Sequence, residues 1–156
     1  MTWPDFIVIV LCILLGILEA QRGFVVAFLD MLGVLLTVEI APAAYMNLTR
    51  SGSLSHVAAY LICIGIGIAI TATATTLLRR QTQFDIGSFD SALAGLFGII
   101  TALILSHAVY GAVVLGYGMA SPVYANSAFA AQIYELRGVH GFLGFMGKIG
   151  TTEIAK

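Results

Sequence analysis

An all-α polytopic membrane protein, with about four transmembrane helices and a C-terminal amphipathic helix, is the fold this sequence predicts. Three observations predict it. Hydrophobic residues make up 60% of the chain and charged residues 10%, at a mean hydropathy of +1.01; a globular domain carries about 25% charged residues. The apolar residues gather in four stretches close to or above the roughly 20 residues a helix needs to cross a bilayer. A chain of 156 residues is too short to hide that much apolar surface in a core of its own. Lipid is therefore the expected solvent, and acids inside the stretches become expensive features that need an explanation.

The first stretch runs from Pro4 to Ala20. Pro4 suits a first helical turn, where its missing N–H is not needed, and Trp3 suits an interfacial anchor. With Asp5 so early and no basic n-region, this stretch is expected to be a retained span and not a cleaved signal. A polar break, Glu19 to Gly23, leads to the second stretch, Phe24 to Tyr45, which Asp30, Glu39 and Pro42 interrupt. A full span and a broken or re-entrant element both remain open for it. A polar loop is expected over Asn47 to His56, with Ser55 as the cap of the third stretch, Val57 to Leu78. That stretch contains Thr71 to Thr76 in the run TATATT, whose hydroxyls are expected to bond to carbonyls of the preceding turn. Arg79 to Ser88 is a polar loop. The fourth stretch, Phe89 to Tyr117, is long enough to tilt or project. Ser121 and Pro122 then form a cap and first-turn pair, and Tyr124 to Leu136 reads as a short amphipathic helix. From Arg137 the tail is rich in Gly, and lying on a membrane surface or partner and loose disorder are both open for it. The chain thus divides into a four-span domain, residues 1–118, and an amphipathic helix with tail, residues 119–156.

A net charge of −1 and a pI near 6.2 offer no basic surface for nucleic acid. Cys12 and Cys63 lie in apolar runs without C-x-x-C spacing and read as buried thiols. His56, His107 and His140 lack any metal-ligand spacing, and no G-x-S-x-G elbow or phosphate loop occurs. No cofactor, metal or enzymatic activity is expected. Orientation follows from basic residues near the span ends. Arg22, Arg79 and Arg80 fall in the first and third loops, against Arg50 alone in the second. The positive-inside rule puts the first and third loops in the cytoplasm and both termini outside.

Nine residues stand out. Arg22-Gly23-Phe24 reads as a tight turn, with Arg22 bound to lipid phosphate or paired with Glu19 or Asp90. Asp90 either complements the N-terminus of its own helix or pairs with Arg22 or Arg79. Asp30 and Glu39 are nine residues apart, about 13 Å along a helix and on opposite faces, so one straight helix cannot aim both into one narrow pore. Ser91, Gly95 and Gly98 form a small-residue strip suited to helix packing, from which a homo-oligomer is expected.

These motifs, in this order, resemble the colicin V production (CvpA) family of small bacterial inner-membrane proteins. The likeness covers most of the chain: Trp3 and Asp5 before the first span, Arg22-Gly23-Phe24 after it, Asp90 with Gly95 and Gly98 opening the fourth, and Ser127 in SPVYANSAFAAQIY beyond it. The Gly-rich end beyond Arg137 and the acids Asp30 and Glu39 depart from the family pattern. The resemblance implies a non-enzymatic, multi-pass inner-membrane protein that assists toxin export or envelope homeostasis, with envelope or export proteins as partners beside lipid. It also implies an outside C-terminus. A different class, an oligomeric channel or transporter subunit with acids along a polar path, stands beside it. A scaffold needs those acids satisfied by protein; a conductor needs them in contact with water.

Overall fold

The first two helices are joined by a single residue. In the computed structural model, which describes residues 1–50, 54–79 and 89–135, α1 spans Trp3–Arg22 and α2 spans Phe24–Thr49, with only Gly23 between them. Gly23 adopts φ +93°, a backbone conformation that a side chain disfavours. Its N–H closes α1 on the Glu19 carbonyl at 3.2 Å, and its own carbonyl accepts the Ala27 N–H at 3.1 Å. The expected tight turn at Arg22-Gly23-Phe24 is thus present in its shortest form.

The remaining elements are α3 (His56–Arg79), α4 (Asp90–Tyr117) and two single turns, α5 (Pro122–Ala125) and α6 (Ala130–Ile133). All four long helices are long and apolar enough to cross a membrane. Between 17% and 33% of each one's most apolar stretch is buried within the protein. The uncovered apolar remainder, Ile13, Leu36, Ile40 and Ile70 among it, suits hydrocarbon and not water. At about 1.5 Å per residue, α2 and α4 reach roughly 39 and 42 Å, longer than a hydrocarbon core of about 30 Å.

Several boundaries differ from expectation for local reasons. Helix α2 is continuous through Pro42, so the second stretch is one full-length helix and not a broken or re-entrant element. It also runs on to Thr49, beyond the expected end at Tyr45. Thr49 Oγ1 donates to the Tyr45 carbonyl at 3.2 Å, and Asn47 Nδ2 to the Ala43 carbonyl at 3.4 Å. These polar side chains are satisfied within the helix, so their polarity does not end it. Tyr124 to Leu136 forms two separate turns where one amphipathic helix was expected, because residues 126–129 turn to meet a carboxylate of α1; Leu136 and the tail lie outside the described residues. The caps agree with the sequence. Ser55 Oγ accepts the Ala58 N–H at 3.2 Å, and Ser121 Oγ accepts the Tyr124 N–H at 3.4 Å. In the TATATT run, Thr73, Thr75 and Thr76 donate to carbonyls of the preceding turn.

Contact follows the order α1, α4, α2, α3, with α1 packed mainly on α4, α4 on α2 and α2 on α3. Small residues set both outer contacts. A Cβ on Gly33 would collide with the Thr71 side chain, and one on Gly67 with that of Thr37. Gly33 and Thr37 on α2 therefore interlock with Gly67 and Thr71 on antiparallel α3, each glycine receiving the other helix's threonine. On the other flank, a Cβ on Gly98 would collide with the Leu15 carbonyl of α1 and lie 2.9 Å from Glu19 Cβ. Between them a core of Val34, Val38, Ala41, Tyr60, Ile64 and Ala108 joins α2, α3 and α4.

Candidate functional site

Two buried polar nodes occupy opposite ends of the bundle, their central residues about 26 Å apart along α1. The first is built on Arg22. Because α1 continues through Glu19 to Arg22, the i,i+3 spacing places both side chains on one face, and Arg22 Nη1 donates to Glu19 Oε1 at 2.8 Å. The one-residue turn then brings α2 back alongside, and the same Nη1 donates to Asp30 Oδ2. Thr75 Oγ1 of α3 lies 3.5 Å from Nη2. The Glu19 and Asp30 side chains are only 4% and 7% exposed, whereas Arg22 is 23% exposed. Arg22 therefore pairs with Glu19, as one reading expected, and with Asp30, which was not foreseen.

Asp90 does not pair with Arg22. It sits in the first turn of α4, yet its Oδ2 accepts the Phe24 N–H at 3.2 Å and so caps α2, a neighbouring helix. A Cβ on Gly23 would stand 2.9 Å from that oxygen, so glycine at position 23 serves both the turn and this approach. Phe24 packs edge-on against Phe97, with ring centroids 5.3 Å apart. Ser91 Oγ donates to the Ala20 carbonyl at 2.9 Å, satisfying one of the carbonyls left free at the end of α1. Gly95 and Gly98 continue the strip against α1, Gly95 facing Gly16 and Ala20. The strip Ser91, Gly95 and Gly98 is thus occupied by the chain's own first helix, and the oligomer expectation loses the surface it rested on.

The second node is built on Asp5, which sequence reasoning used only against a cleaved signal and within a family motif. Asp5 is fully buried. Its Oδ1 accepts from Tyr110 OH at 2.7 Å and from Ser127 Oγ at 2.5 Å. Its Oδ2 accepts the Thr2 N–H at 2.6 Å and the Ala128 N–H at 3.2 Å. Ser127 Oγ in turn accepts the Ala130 N–H at 3.0 Å and so starts α6. One carboxylate thereby ties the start of α1, the body of α4 and the segment beyond the spans. Around it Tyr110, Tyr124 and Tyr134 stack edge to face. His107 Nδ1 lies 3.1 Å from the Ile133 carbonyl, and the ring stacks on Tyr134. His107 therefore helps seat α6.

Glu39 belongs to neither node. As the nine-residue spacing implies, it points away from Asp30 and is exposed. It borders a groove of about 280 Å³ with Leu35, Leu103, His107, Gln132 and Ile133. Among the described residues, no group of three or more His, Cys, Asp or Glu side chains is placed to hold a metal. His140, Arg80, Arg137, Lys148 and Lys156 lie outside the described residues, as does the side chain of Arg79. No family model, curated protein or solved structure matches this chain.

Proposed function

We propose that this membrane-embedded protein is a non-enzymatic scaffold of the colicin V production type, which assists toxin export or envelope homeostasis by presenting a fixed surface to other envelope proteins. The observation that carries the reading is Asp5. A fully buried carboxylate spends its hydrogen bonds on Tyr110, Ser127 and Ala128, an investment that holds the segment after the spans in one place against the bundle. Buried charges are costly unless paired and hydrogen-bonded, and an anchor alone has no use for one. In this reading the outer face of the C-terminal segment is the displayed surface, outside an inner bacterial membrane, with both termini on that side. Lipid surrounds the rest. A homo-oligomer, if formed, uses a face other than the Ser91, Gly95 and Gly98 strip.

The channel or transporter reading keeps one observation in its favour. Glu39 is exposed among the exposed apolar side chains Leu35, Leu36 and Ile40 of α2, as a residue facing a polar path would be. Two measurements separate the readings. Asp5→Ala, expressed at wild-type level, is expected to reproduce the envelope or export defect of a strain lacking the gene. Purified wild-type protein in liposomes is expected to pass no ions. Ion flux abolished by Glu39→Gln, with full complementation by Asp5→Ala, would replace the scaffold with the conductor.

A further inference from the structure

The Arg22 node has more acid than base. Arg22 Nη1 serves both Glu19 Oε1 and Asp30 Oδ2, so a single positive charge faces two carboxylates. The second oxygen of each, Glu19 Oε2 and Asp30 Oδ1, is buried without a hydrogen-bond partner among the described residues. The shared Nη1 holds the two carboxylates side by side. Fully ionised, the triad carries a net charge of −1 on two carboxylates that are almost wholly buried, and an uncompensated buried charge is strongly disfavoured. Each orphaned oxygen adds its own desolvation cost.

We propose that Glu19 and Asp30 share one bound proton, making the Glu19–Arg22–Asp30 triad a proton-binding site inside the helical bundle. One proton brings the triad to neutrality. It also supplies the missing donor, since an O–H on one carboxyl donates to the other. The groups at the pair are the Arg22 guanidinium from α1 and, beside it, the Thr75 hydroxyl from α3. Arg22, the most exposed member, is the edge through which the proton exchanges with water. The site lies where α1, α2 and α4 meet, because Glu19 packs against Gly98. Its charge is therefore felt at the junction that sets the helix arrangement.

The test is infrared spectroscopy of the full chain in lipid nanodiscs at neutral pH. Wild type is expected to show the C=O stretch of a protonated carboxyl, shifted in heavy water. Glu19→Gln and Asp30→Asn are near-isosteric, and each leaves one carboxylate for one guanidinium. Each is expected to lose one carboxyl group's intensity from that band while remaining folded by circular dichroism. Absence of the band from wild type would overturn the proposal and leave both acids ionised. An unchanged band in both variants would place the proton elsewhere. Loss in only one variant would fix the proton on a single acid and overturn the sharing. The wild-type spectrum decides the first point even where a variant fails to fold.

Discussion

Gly23 and Ser127 show how much rests on single side chains. At Gly23 any side chain meets an unfavourable backbone conformation, and a Cβ would press on Asp90 Oδ2 at 2.9 Å. Gly23→Ala is expected to destabilise by about 1–3 kcal/mol, measured as a lower unfolding midpoint in mild detergent. Ser127→Ala removes a donor to Asp5 and the acceptor that starts α6. It is expected to cost on the order of 1–2 kcal/mol, confined to the C-terminal segment, so proteolysis there should rise while the spans stay intact. The two residues differ in how far the sequence reveals them. Gly23 is legible because its role is local: an Arg-Gly-Phe break between two apolar stretches calls for a turn. Ser127 is bound to a residue 122 positions away, and nothing in one sequence reports such a distance. The only signal was its place, with Asp5, in a resembling family's motifs.

At the scale of elements, glycine strips fix which helices touch. Gly98 and Gly95 look alike in sequence but differ in contact. A Cβ on Gly98 collides with the Leu15 carbonyl, a backbone atom that cannot swing aside, while one on Gly95 meets its nearest neighbours at 3.4 and 3.5 Å. Gly98→Ala is therefore expected to cost about 1–3 kcal/mol through overpacking, and Gly95→Ala to be close to neutral, compared by thermal unfolding of the two purified variants. Equal effects would mean that α1 and α4 do not meet as described. The strip was legible as a packing surface, because small residues recur at helical spacing. Its partner was not, since a second copy and the chain's own α1 present the same chemistry to it. Hydropathy likewise located the four long helices. The true end of α2 lies past Asn47 and at Thr49, both bonded to their own helix, a choice that composition leaves open.

For the whole molecule, charge and burial act together: two polar nodes at opposite ends hold four apolar helices that otherwise lack a strong drive to associate in lipid. The spread of Arg22, Arg79 and Arg80 against Arg50 sets the expected orientation. With Cys12 and Cys63 removed, Ser51→Cys is expected to react with an impermeant thiol reagent added to intact cells, and Gln83→Cys only after lysis. Equal labelling from outside would contradict that topology. The opposite faces of Asp30 and Glu39 were legible from their spacing alone, but the acceptance of Asp30 by Arg22 required the one-residue turn that folds α2 back on α1. The account's central claim is that Asp5 clamps the segment after the spans onto the bundle. Hydrogen exchange of the full protein in nanodiscs tests it most directly. Wild type is expected to protect the amides of Ala128, Ala130 and Ile133, and Asp5→Ala to lose that protection while the α2–α3 pair retains its own. Free exchange at those amides in wild type, or protection unchanged by Asp5→Ala, would contradict the claim.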